Sequence, residues 1–241
     1  MQVMQGLPLL IITHRCEQQY RSPRAHPQKH IAGFNDALGL LKQRQYHAIA
    51  FELDDQEKAG CDVLESILAA ELAGDVATTP LLLGCGDWSQ AQEENRLRLK
   101  GFDRLLPLMF SDEQVRAISL RPEPDLHELS ALAGHQQPVI EAMIPTLLRT
   151  LSSDLRQLEN LQGDGSLIQI ADLAHRMKSS FHLLGMRYAR RRCITMERLP
   201  ALLHEQRVSE TQSTKMRHRF GIAVHESYQF LQRALGVTSN E

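Results

Sequence analysis

The sequence predicts two domains: a doubly wound α/β domain over residues 1–120 and an all-α four-helix bundle over residues 126–241, joined by a linker at 121–125. Three observations carry this reading. Through the first half, short apolar runs alternate with helical periodicities, the pattern of a sheet covered by helices. Through the second half, apolar residues recur only at steps of three and four, the pattern of amphipathic helices. The two patterns meet at Arg121-Pro-Glu-Pro-Asp125, a polar stretch whose prolines continue neither.

In the first half, residues 7–13 (Leu-Pro-Leu-Leu-Ile-Ile-Thr) form a continuous apolar run, as expected of a strand buried on both faces. Residues 16–28 are polar and hold Pro23 and Pro27, so any crossover helix there is short or broken. A helix is predicted over 35–44, a strand over 46–53, a helix over 61–72 and a strand over 80–85. A polar helix over 90–100, a short strand over 103–106 and a helix over 112–120 complete the alternation.

In the second half, residues 126–133 form a short helix closed by Gly134. Residues 138–161 form a long one with Ile140, Leu148, Leu151, Leu155 and Leu158 on its stripe and Pro145 bending it. Gly163-Asp-Gly165 makes a turn, after which Ser166 or Asp164 can cap the next helix. Residues 187–205 carry Ala189, Cys193 and Met196 inward and are interrupted at Pro200; residues 209–235 close the set through Met216, Phe220, Val224 and Leu231. Four long amphipathic helices with short connections make an antiparallel bundle.

The helix with chemical potential is the second long one. Ile170, Ala174, Met177, Phe181 and Leu184 mark its buried stripe, and His175 lies off that stripe. Asp172, Lys178 and Ser179 stand three before, three after and four after the histidine, on the same wetter face. A neutral imidazole is a nucleophile near neutral pH, and a cation one turn away can neutralise phosphoryl oxygens as a bond forms. An isolated histidine–lysine pair is weak on its own, since most such pairs are solvated surface groups. Small Ser179 and Ser180 would let a partner approach closely.

The wider pattern is more specific. His175-Arg-Met-Lys178-Ser-Ser-Phe-His-Leu-Leu184-Gly185, followed by Cys193-Ile-Thr-Met-Glu197, resembles histidine-containing phosphotransfer (HPt) domains, in which His-x-x-Lys-Gly-Ser precedes Leu-Gly and then Cys-x-x-Leu-Glu. The resemblance implies that His175 accepts the phosphoryl group and that Lys178 supports its charge. Ser179 stands where the family has a small glycine, which narrows the approach and bears on rate. Positive charge near His175, from Arg176, His182, Arg187 and Arg191, would steer an acidic partner. Arg187, Arg190, Arg191, Arg192 and Arg198 together give their helix a basic face, read as solvated; no second basic patch supports nucleic-acid binding.

The first half looks like a response-regulator receiver domain, a flavodoxin-like fold, with its chemistry replaced. Tyr46-His-Ala-Ile-Ala-Phe-Glu52-Leu stands where receivers have the phosphoacceptor strand, Ala59-Gly60 at the following turn, Thr79-Pro80-Leu-Leu-Leu-Gly-Cys85-Gly at the threonine strand and Gly101-Phe-Asp-Arg-Leu-Leu-Pro107-Leu108 at the lysine strand. By that resemblance Glu52 occupies the phosphorylated aspartate's place, Thr13 and His14 that of the metal-holding acidic pair, Cys85 that of the switch hydroxyl and Leu108 that of the lysine. Mg²⁺ requires several hard oxygen ligands, which one glutamate beside Thr13 and His14 does not supply. Asp54 and Asp55 read as loop residues after the strand.

Composition bounds the rest. A formal charge of −2 over 241 residues excludes an overall polyanion-binding character. No apolar run approaches the ~20 residues of a membrane span, and the first residues do not have the organisation of a signal peptide, so a cytoplasmic protein is expected. The four cysteines are far apart with no CxxC, which argues for reduced thiols and against zinc. The function expected is that of a monomeric phosphorelay intermediate between the receiver of a hybrid histidine kinase and a response regulator. Such a protein is a carrier with no nucleotide loop and no cofactor of its own, Mg²⁺ arriving only with the partner's receiver. The rival expectation is a docking protein that inhibits a kinase or regulator without phosphorylation.

Overall fold

The structure is a computed structural model that describes residues 8–13, 29–53, 57–86, 96–97, 100–107, 110–119, 123–161 and 166–236. It divides into two compact units, Met1–Leu120 and Arg121–Glu241.

Unit one is built on β1 (Leu9–Ile12), β2 (Lys29–Ala32), α1 (Ala37–Gln43), β3 (Ala48–Glu52), α2 (Glu57–Ala73), β4 (Leu81–Gly86), β5 (Arg104–Pro107) and α3 (Asp112–Ser119). The strands are all parallel and lie in the order β2-β1-β3-β4-β5. That is the flavodoxin-like order, with its switch point between β1 and β3. Alternation along each strand decides which face a residue serves. Leu10, Ile12, Ile49, Phe51 and Leu82 face one way and pack with Ala37 and Leu41 of α1 and Leu64, Ile67 and Leu68 of α2. Leu9, Ile11, Ala48, Ala50, Leu81 and Leu83 face the other way and pack with Val115 of α3.

Two sequence expectations are corrected here. β2 was not foreseen, because an edge strand of four residues beginning Lys29-His30 shows no apolar run. Ala59 and Gly60 lie inside α2 rather than in a turn, since that helix starts at Glu57. The broken crossover expected at 16–28 and most of the helix expected at 90–100 fall outside the described residues.

Unit two holds a short α4 (His127–Leu132) and four long helices, α5 (Gln137–Leu161), α6 (Leu167–Leu183), α7 (Arg187–His204) and α8 (Glu210–Ala234). α5 packs on α6, α6 on α7, α7 on α8 and α8 back on α5, which closes the bundle. Leu151, Leu155 and Leu158 of α5, Ala174, Met177 and Phe181 of α6, Cys193 and Met196 of α7, and Phe220 and Val224 of α8 are buried. α7 continues through Pro200 to His204, where an interruption was expected. Proline removes one backbone donor, and helices whose apolar face is buried tolerate that loss. Among the described residues no helix is long and apolar enough to cross a membrane.

Candidate functional site

α6 is fixed at both ends by its own sequence. Ser166 caps its start in a reciprocal box: the Ser166 hydroxyl accepts from the Ile168 N–H at 3.3 Å, and the Ser166 N–H donates to Gln169 Oε1 at 3.2 Å. Gly185 ends it with φ at +64°, and the Gly185 and Met186 N–H groups return to the carbonyls of His182 and Phe181 at 3.0 and 2.8 Å. A side chain at Gly185 would also run into the backbone of Asp125. The helix is therefore held in register, and its buried stripe turns His175 outward.

His175 is 65% exposed, and its Nδ1 lies 2.9 Å from Oε1 of Glu197 on α7. The other oxygen of Glu197 accepts from Lys178 Nζ at 2.5 Å. One carboxylate thus braces both the imidazole and the ammonium. Burial alone would push the Glu197 carboxyl up; hydrogen bonds from Lys178 and His175, with their charges, outweigh it and hold it below the usual carboxylate value. An ionised carboxylate only accepts hydrogen bonds, so the hydrogen of this contact sits on Nδ1 and Nε2 is the ring nitrogen that Glu197 does not engage. The arrangement is an exposed imidazole, braced at Nδ1, beside an ammonium held by the same carboxylate.

Glu197 was quoted in the sequence pattern but given no role. Its signal was present: four residues after buried Cys193 and next to buried Met196, it must sit at the margin of the helix's inner face. Lys178, expected on an open polar face beside the histidine, is 14% exposed and paired with Glu197 instead. Ser179 is exposed as expected, whereas Ser180 is buried and belongs to the packing.

The basic surface is smaller than the sequence suggested. Arg190, Arg191 and Arg192 are buried, Arg191 to 2% exposure, so Arg191 is not a docking residue and the middle of α7 is not a solvated face. Charge alone misled here: a guanidinium is among the few charged groups whose delocalised plane and stem suit burial beside partners. Arg192 stacks 4.5 Å from the centre of the Tyr188 ring. Arg187 donates to Glu123 at 3.1 Å. Arg176 is half exposed but pinned by Nε and Nη2 to Asp154 Oδ1 at 3.1 and 2.8 Å, and by Nη2 to Gln157 at 2.8 Å. His182 is half-buried in the last turn of α6.

In unit one, Thr13, Glu52 and Cys85 meet at the carboxyl ends of neighbouring strands. Thr13 donates its hydroxyl to the Glu52 carboxylate, and Glu52 and Cys85 are register partners on β3 and β4. All three are buried. Burial, and then the neighbouring Glu52, push the Cys85 thiol far up, so it remains a protonated, unreactive thiol. His14, Asp54, Asp55 and Leu108 lie outside the described residues.

No curated protein and no solved structure gives a significant match to the chain. Residues 142–231 match the family model described as Hpt domain. That stretch runs from within α5 to within α8, contains His175, Lys178 and Glu197, and supports a phosphotransfer role in two-component signalling.

Proposed function

We propose that this protein is a cytoplasmic, monomeric phosphorelay intermediate that takes a phosphoryl group from the receiver aspartate of a hybrid histidine kinase onto His175 and passes it to a response regulator. The observation that carries the reading is the exposed His175 imidazole whose Nδ1 lies 2.9 Å from the Glu197 carboxylate. Nε2 attacks phosphorus, the N–P bond forms, and the P–O bond to the partner's aspartate breaks, with the electron pair leaving on that carboxylate. The Nδ1 proton stays in place, so no proton transfer is needed. Onward transfer reverses these bonds on a second receiver. Lys178, on its flexible stem one turn away, swings from Glu197 to the phosphoryl oxygens as charge arrives. Exposed Ser179 is the position at which the partner approaches most closely. Arg176, Arg187 and His182 lie toward the rim of the same contact.

In this reading the protein is a carrier and not an enzyme: the partner's receiver supplies Mg²⁺ and the activated phosphate. Unit one acts as a receiver-like module that no longer reacts, with Glu52 turned into the interior against Thr13, and contributes partner selection. The test mixes the protein with a phosphorylated kinase receiver and follows acid-labile label. Label appears on the wild type and then on a response regulator, and is absent from His175→Gln. Regulation of the kinase with no label on either protein would replace the relay with the inhibitory docking reading.

A further inference from the structure

We propose that the outer face of α8 is a second docking surface of the bundle, fitted to an amphipathic helix of a partner protein that carries carboxylates at both ends and a cation at its middle. α8 packs on α5 and α7, which sets it diagonally across the bundle from α6. Its buried stripe of Met216, Phe220, Val224 and Leu231 leaves the opposite side of the helix turned away from α6. On that side Lys215, Arg219, Ile222, Glu226, Phe230 and Arg233 follow one another at steps of three and four, and all six are exposed. Ile222 and Phe230 are 46% and 40% exposed and lie two turns apart, about 12 Å along the axis, so they form one patch and not two scattered groups. Cations stand at both ends of the stripe, and one carboxylate, Glu226, stands between the apolar pair. Neither Lys215 nor Arg219 has an ion-pair partner among the described residues. Arg233 is held along the helix by its Nε, which donates to the Gln229 carbonyl at 3.2 Å.

This order of charge selects the occupant. A uniformly anionic ligand, whether a lipid surface or a nucleic-acid backbone, is repelled by Glu226 at the centre of the stripe. A second copy of the chain is no better matched. Set antiparallel about Glu226, two α8 helices would bring Ile222 against Phe230, but also Glu226 against Glu226 and Arg219 against Arg233. Set parallel, every charge would meet its own kind. A helix with acidic ends, apolar residues facing Ile222 and Phe230, and a basic residue opposite Glu226 satisfies all six groups. Because the face lies across the bundle from α6, such a partner and a receiver at His175 can be held at the same time.

The test titrates the ¹⁵N-labelled full-length chain with a synthetic helical peptide of that charge order, with the same peptide carrying lysine in place of its end glutamates, with phosphatidylglycerol vesicles and with a DNA duplex. The acid-ended peptide is expected to shift the amide signals of α8 around Ile222 and Phe230 and to leave those around His175 in place. Arg219→Glu combined with Arg233→Glu should weaken that peptide about tenfold and bind the lysine-ended one in its stead, a reversal that loss of fold cannot produce. Ile222→Ser should weaken both pairings. Equal affinity of the wild type for the two peptides, shifts centred on α6, tighter binding of vesicles or duplex, or self-association through α8 overturns the inference. The relay reading stands in each case, since it does not use α8.

Discussion

At the scale of single residues, the exposed histidine draws its character from one carboxylate on the neighbouring helix. Glu197 holds the ring and Lys178 at 2.9 and 2.5 Å, and its carboxyl stays below the ordinary 4.5 because those contacts outweigh burial. A group whose folded pKa is depressed contributes stability that is complete above its unfolded value and is lost as pH falls through the folded one. Wild type should therefore melt above Glu197→Gln at neutral pH, and thermal scans in progressively more acid buffer should show the gap closing below the ordinary carboxylate range. A gap that persists unchanged at the acid end would mean that the carboxylate's charge contributes nothing. His175, Lys178 and the buried stripe beneath them were legible because a helical period sorts residues by face. The bridging role of Glu197 was not, since a period within one helix does not say which residue of another helix lies opposite. The burial of Arg190, Arg191 and Arg192 was hidden for the same reason.

The elements show how the site is kept in place. α6 is capped by Ser166, one of the two caps the sequence offered, and stopped by Gly185, whose positive φ the structure shows. What joins it to α5 was not visible: Arg176 reaches across to Asp154, which is almost wholly buried and whose Oδ2 has no partner among the described residues. Removing the guanidinium leaves a buried carboxylate uncompensated. Arg176→Ala should cost about 2–3 kcal/mol in urea unfolding, below the full penalty for a wholly buried pair because Arg176 is half exposed. Asp154→Leu in the same background should restore most of the loss. An unaltered midpoint in the single variant would show that the clamp is only a surface pair. The β2 strand and the continuity of α7 past Pro200 escaped the sequence because each depends on what surrounds it: an edge strand borrows its pairing from β1, and a proline is tolerated where packing holds the helix.

Across the whole molecule, both architectures were legible, since alternation of strand and helix and an unbroken helical period are long-range patterns that no single residue can disguise. The order β2-β1-β3-β4-β5 then brings Thr13, Glu52 and Cys85 together at strand ends, and the closed bundle leaves the His175 imidazole facing outward. The family match at residues 142–231 supports a phosphotransfer role for the unit that carries this histidine. The measurement that tests this most directly is ³¹P–¹⁵N NMR of the intact protein after exposure to a phosphorylated receiver. A single N–P bond at Nε2 of His175 is the predicted result; phosphoryl on Nδ1, on another residue, or on none would contradict it.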